Sequence, residues 1–155
     1  MSSAATYPEV MRREFTELRP ALRIEVINRG RLGDTIPGAI ARFERDVLAY
    51  WPDLVVWQLG TNDVVWGGRA EGHKHRIIEG VRALKGIDAD VILMDLQYAR
   101  IVLASSQYSD MQAIISEAAR HERVGLFPRF ARNRGGAAGR RSGIVGRAAQ
   151  FRRRI

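Results

Sequence analysis

Apolar positions along this chain switch repeatedly between two periods. Val10, Met11, Phe15, Leu18 and Leu22 recur at three to four residues, the single apolar stripe of an amphipathic helix. Thr6 and Glu9 form a capping-box pair at its start, Pro8 suits its first turn, and Pro20 limits it. Leu22, Ile24 and Val26 alternate with Arg23 and Glu25, which predicts a strand over about 22–28. Ile36, Ile40, Phe43, Val47 and Leu48 predict one helix, capped by Asp34 or Thr35 with Pro37 in its first turn. The run Leu54-Val55-Val56-Trp57-Gln58-Leu59 is short, β-branched and aromatic, as expected of a strand buried on both faces. After a loop over 64–68, Ile77, Ile78, Val81 and Leu84 mark a helix over about 71–85 that ends near Gly86. The residues DVILMD predict a buried strand over 90–95, and 97–107 reads as a long connection. Met111, Ile114, Ile115 and Ala118 mark a further helix, followed by a short last strand over 124–127.

Strand and helix therefore alternate four times. That order predicts an α/β fold, a parallel sheet with helices on both faces joined by right-handed crossovers. Such folds place their sites outside the carboxyl ends of the strands. The strand over 54–59 stops there at Gly60-Thr61-Asn62-Asp63. On the residues alone, Asn62-Asp63 reads equally well as a turn built of two good turn residues or as a site.

Composition changes this picture little until the charge is located. The chain has 155 residues and a net charge of +8. Nine of its 25 basic residues lie from Arg129 onward, where there is no acid, so residues 1–128 are nearly neutral. Periodicity also collapses there: residues 133–155 are mainly Gly, Ala and Arg and are expected to be a disordered or weakly helical tail. Such a tail suits weak, nonspecific binding of nucleic acid or another anionic surface. Only Phe130 and Phe151 interleave with its arginines, so base stacking is not indicated. There is no Cys, which excludes disulfides and thiolate metal sites. No apolar run reaches the roughly 18 residues of a transmembrane helix, and the start shows no leader pattern. As written, the chain is expected to be cytoplasmic; an upstream leader on a longer native chain would change that.

With the turn Gly33-Asp34-Thr35 and the block Gly60-Thr61-Asn62-Asp63 both in view, residues 5–130 resemble the SGNH (GDSL-type) hydrolases, serine esterases and lipases of flavodoxin-like, three-layer layout. The second marker block of that family is a glycine after the second strand, which Gly33 matches. The third is Gly-x-Asn-Asp, which Gly60-Thr61-Asn62-Asp63 matches in full. The resemblance implies that the Gly33 N–H and Asn62 Nδ2 donate to the oxyanion of a tetrahedral intermediate, with Gly60 and Asp63 supporting the loop. Removing one such donor costs roughly 10²–10³ in rate. Cofactors and metals are not implied, and the substrate would be a small-molecule or lipid ester.

Two marker blocks are not matched. The first carries the nucleophilic serine at the end of a first strand, and no apolar strand precedes Ser2 and Ser3. The last is Asp-x-x-His, which occurs nowhere. Nucleophile and base are thus unassigned, and the expectation is an incomplete member of the family, lacking the first strand, truncated or inactive as written. His73 and His75 read as solvated, and His121 as a helix C-terminal cation. The competing readings are a non-catalytic protein that binds anions through its Arg-rich tail, and a flavodoxin-like nucleotide binder. The second is lowered by the absence of a phosphate-loop pattern after any strand.

Overall fold

The computed structural model describes residues 6–134, which fall into two compact units, 6–30 and 31–134. The first unit holds α1 (Tyr7–Leu18) and an extended segment. The Thr6 backbone amide and hydroxyl both donate to Glu9 Oε2, at 2.6 and 2.8 Å, so the first turn is closed by its own side chains. Pro8, Met11 and Phe15 are its buried positions.

The expected strand over 22–28 does not form. Leu22, Ile24 and Val26 are each less exposed than their neighbours, so the alternation is physically present. A strand, however, exists only through a ladder with a neighbour, and among the described residues no strand pairs with this segment.

The second unit is built on three parallel strands, β1 (Leu54–Gln58), β2 (Asp90–Met94) and β3 (Gly125–Phe127), in the order β1-β2-β3. Leu54 lies opposite Asp90 and Gln58 opposite Met94; Ile92 lies opposite Gly125. Helices cover both sides of the sheet. Helix α5 (His73–Lys85) connects β1 to β2, α7 (Tyr108–Glu122) connects β2 to β3, and the two pack on each other. Ile77, Val81 and Leu84 of α5 and Met111 and Ile115 of α7 meet Val91 and Leu93 in one core. Each such side chain, fully buried, contributes roughly 1.5–3 kcal/mol. Gly80 makes room for Trp57: a Cβ there would lie 2.8 Å from the indole. Phe43 meets the same indole edge-on at 4.9 Å.

Other boundaries differ from expectation. The single helix expected over 36–48 is two short ones, α2 (Ile36–Ile40) and α3 (Phe43–Asp46), followed by a 3₁₀ turn at Leu48–Tyr50. Arg42 (φ −117°, ψ 5°) and Val47 (φ −131°, ψ −61°) leave helical geometry, while Ile36 and Phe43 still reach the core. The loop expected over 64–68 begins as helix, because α4 (Thr61–Val65) starts at the Gly60 turn. Within the long connection lies α6 (Arg100–Leu103), and α8 (Arg129–Arg134) follows β3. The rest of the Arg-rich tail lies outside the described residues.

Candidate active site

Two chain reversals meet beyond the carboxyl end of β1. The first is Gly33-Asp34-Thr35, leading into α2. Gly33 has φ +79°, a conformation costly for any residue with a Cβ. The Thr35 hydroxyl caps α2 by accepting from the Gly38 amide at 3.2 Å. Arg42 clamps the turn from behind: its Nε donates to Asp34 Oδ2 at 3.0 Å and its Nη1 to Asp46 Oδ2 at 2.7 Å. The paired guanidinium groups of Arg45 and Arg42 hold the Asp46 carboxyl far below its ordinary range.

The second reversal is Gly60-Thr61-Asn62-Asp63. Gly60 has φ +88°, and a Cβ there would fall 2.9 Å from Met111 Cγ and 3.0 Å from Ile115 Cδ1. The glycine therefore meets two demands, a left-handed turn and close approach to α7. The Thr61 hydroxyl accepts from the Gln97 amide at 2.9 Å and ties this loop to the end of β2.

Asn62 and Asp63 fasten the two reversals together. Asn62 Nδ2 donates to the Asp34 carbonyl at 2.7 Å. A side-chain amide has two N–H donors, so this bond fixes the plane of the group and leaves a second donor. Asp63 is 4% exposed and accepts the Ile36 amide with both oxygens, at 3.0 and 3.2 Å. Burial pushes its carboxyl above the ordinary value; the Ile36 amide, His73 and the amides of Asp63 and Gly60 pull it back in part. Trp66, 67% exposed, brings an edge of its ring to the first reversal, with Cη2 3.4 Å from where a Gly33 Cβ would be. Gly33, Gly60, Asn62 and Asp63, far apart in sequence, thus form one cluster.

The sequence did not point to three members of this neighbourhood. His73, expected to be solvated, has a side chain only 14% exposed and lies with Nε2 3.7 Å from Asp63 Oδ1. The burial is tertiary: His73 begins α5, whose first turn faces the Gly60–Asp63 loop, and one residue type gives no sign of that. His75, 80% exposed and 3.0 Å from Glu79, is solvated as expected. His121 ends α7, with Nδ1 3.0 Å from Glu122 Oε1. Each histidine thus meets an acid rather than a serine. Arg42 was not legible as a clamp because Asp34, which it joins to Asp46, lies on the turn before α2. Asp95, read only as the end of a strand, is buried and accepts from the Phe130 amide at 2.9 Å; burial pushes its carboxyl up.

Beside α4 an open groove of about 540 Å³ is lined by Val64, Val65, Ile101 and Ala104 on its apolar side. Arg69, Ser105, Ser106 and Gln107 form its polar side. Among the described residues no group of three His, Asp or Glu is placed to hold a metal ion, and no helix is long and apolar enough to cross a membrane.

Comparison with known proteins places the fold among esterases. The chain is 28% identical over 136 residues to an arylesterase of Vibrio mimicus, covering 83% of this chain and 67% of that protein. It is 47% identical over 45 residues to an acetylxylan esterase of Geobacillus stearothermophilus, spanning 29% of this chain and 20% of that one. Among solved structures, the acetyl xylan esterase AlAXEase shares the fold at a TM-score of 0.69 and 24% identity, over 81% of this chain and 69% of that one. The profile of the non-GDSL lipase-like family matches residues 1–134. The chain belongs to that family and, with it, to the SGNH (GDSL-type) hydrolases.

Proposed function

We propose that this chain supplies the oxyanion-stabilising half of an ester-hydrolase site, with Gly33 N–H and Asn62 Nδ2 as the donors and Gly60 and Asp63 supporting the loop. The observation that carries the reading is the 2.7 Å bond from Asn62 Nδ2 to the Asp34 carbonyl. It brings the two reversals together and holds the amide in one plane. Ester hydrolysis passes through a tetrahedral intermediate with a negative oxygen, and fixed neutral donors stabilise that charge without reorganising. An amide suits the task because it cannot lose its proton. The groove beside α4 would receive one arm of a small-molecule or lipid ester, its apolar wall being Val64, Val65 and Ile101. The relatives named above act, by their names, on aryl esters and acetylxylan, so aryl and acetyl esters are the first substrates to try.

The step to be catalysed is acyl transfer to a serine hydroxyl followed by hydrolysis by water, with a general base taking the hydroxyl proton. This chain's described residues supply neither role in a recognisable pair. The experiment is therefore the intact mass of the natively produced protein before and after a fluorophosphonate, together with hydrolysis of p-nitrophenyl acetate. One added phosphonyl group and turnover that falls roughly 10²–10³-fold in Asn62→Ala supports the reading. No adduct and no turnover from the natively produced protein overturns it as an activity.

A further inference from the structure

Asp63 is buried where three helix starts converge. It lies in the first turn of α4, both of its oxygens accept the first amide of α2, and His73 at the first position of α5 faces it. A carboxylate so buried is stable only with donors and an opposite charge around it. The other charged side chains nearby have opposite charges of their own. Asp34 and Asp46 meet Arg42, Glu71 meets Arg69, and Glu117 meets Lys74. His73 is the titratable side chain that meets Asp63, with Nε2 3.7 Å from Oδ1. Its Nδ1 is buried without a hydrogen-bond partner, so the Asp63 side is where its ring is engaged.

We propose that Asp63 is the positioning residue of the Gly33–Thr35 turn, holding it through the Ile36 amide, and that His73 is the counter-charge that keeps Asp63 ionised in that role. The proposal rests on the oxyanion reading for its catalytic meaning. Ile36 immediately follows Thr35, so whatever fixes the Ile36 N–H fixes the direction in which the turn leaves Gly33. Asn62 cannot do this alone, because its bond reaches Asp34 O on the other side of the turn. With Asp63 ionised, two oxygens share the Ile36 amide. Once Asp63 is protonated, one of them becomes a donor and the shared bond is lost. The turn then has one fastening to the Gly60–Asp63 loop through its neighbour Asn62 and a weaker one through Asp63.

The test uses the full chain, isotope-labelled, and reads the Ile36 amide. Its proton shift follows the ionisation of Asp63, and its exchange rate follows opening of the turn. In the wild type a single pH step is expected in the Ile36 shift. In His73→Gln the step moves upward by about one pH unit, because an opposite charge within ~4–6 Å favours the ionised carboxyl. In His75→Gln, whose ring is exposed and paired with Glu79, it stays where it was. In Asp63→Asn the step disappears and Ile36 exchanges several-fold faster. Asp63→Ala should exchange faster still; if it does not fold, Asp63→Asn carries the comparison. A step unmoved by His73→Gln overturns the counter-charge, and Ile36 protection unchanged in Asp63→Asn overturns the positioning. Both readouts are available from a chain that hydrolyses nothing, so loss of the esterase reading is distinguishable from loss of this one. Where turnover is measured, Asp63→Asn lowers kcat with KM nearly unchanged, whereas a merely destabilised fold would lower the active fraction and leave the pH profile in place.

Discussion

Asn62 Nδ2 sits 2.7 Å from the backbone carbonyl of Asp34, a bond that spans 28 residues of sequence. One amide proton is committed to holding two reversals together; in the proposed function the other serves the developing oxyanion. Removing the side chain therefore loses a donor and a fastening at once. Asn62→Ala is expected to lower kcat roughly 10²–10³-fold. Asn62→Asp is expected to be no better, since a carboxylate has no proton to give and would face the Asp34 carbonyl with like partial charge. Rates on p-nitrophenyl acetate, set beside thermal midpoints, separate the two losses. An Asn62→Asp protein with near wild-type turnover would exclude the amide as donor.

Gly60 answers two physical demands, and either alone forbids a side chain. A residue with a Cβ at φ +88° is strained by about 1–2 kcal/mol. The added carbon would also press on Met111 and Ile115, an overpacking that costs about 1–3 kcal/mol. Gly60→Ala should lose about 2–5 kcal/mol of stability, measured by urea denaturation. Gly67, also at positive φ but with open space around it, isolates the strain term, and Gly67→Ala should lose only the smaller part.

The buried carboxyl of Asp95 makes stability depend on pH in a direction opposite to an ordinary ion-paired acid. Burial raises it, against the opposing pull of the Phe130 amide, Gln112 and Arg129. A carboxyl whose folded value lies above its unfolded one binds its proton more readily when folded. Its contribution is complete below the unfolded value and is lost as pH rises through the folded one. Asp95→Asn keeps an acceptor for Phe130 and removes that loss. Denaturation at pH 3.5, 5 and 7 should show the variant gaining on the wild type as pH rises. Parallel profiles would mean that Asp95 is not desolvated in the folded protein. Glu122 runs the other way. Its burial is outweighed by His121, Arg82 and Lys85, its folded value is lowered, and its contribution is lost as pH falls.

Much of this site was legible in the chain before any coordinates. Gly60-Thr61-Asn62-Asp63 follows an apolar run that does form β1, so its position at a strand's carboxyl end followed from periodicity. Burial of that strand on both faces did not, since only Trp57 is buried and β1 has a strand neighbour on one side among the described residues. Gly33 was picked out by its match to the second marker block just before the Asp34-Thr35 cap; its positive φ is a finding of the structure. What periodicity could not give was partnership. Leu22, Ile24 and Val26 alternate as a strand does, yet a strand is a property of two segments, and alternation in one is silent about the other. His73 reads as polar surface because its burial comes from α5 docking beside the Gly60–Asp63 loop. Arg42 is one arginine among many until Asp34 and Asp46 are placed on either side of it. The split of residues 36–48 into α2 and α3 escaped notice for a different reason. The apolar spacing survives the break, since Ile36 and Phe43 still reach the core.

Trp66 offers the sharpest separation of substrate contact from structural support. Two edge carbons of its ring, Cη2 and Cζ2, come within 3.4 and 3.5 Å of where a Gly33 Cβ would be, yet the residue is 67% exposed. Nothing in the core depends on it, so Trp66→Ala should change stability by no more than about 0.5 kcal/mol, as for an ordinary surface substitution. If the ring is a wall of the ester site, substrate loses an apolar contact made equally in ground and transition states. The result is a KM higher by roughly tenfold with kcat little altered. Trp66→Phe should fall between the two. If instead the indole props the Gly33 turn, kcat falls with KM unchanged, because the misplaced N–H is needed only when the oxyanion forms. Steady-state kinetics of the two variants on p-nitrophenyl acetate and a longer acyl ester decide the matter. A wall discriminates between the two esters when it is removed, and a prop does not.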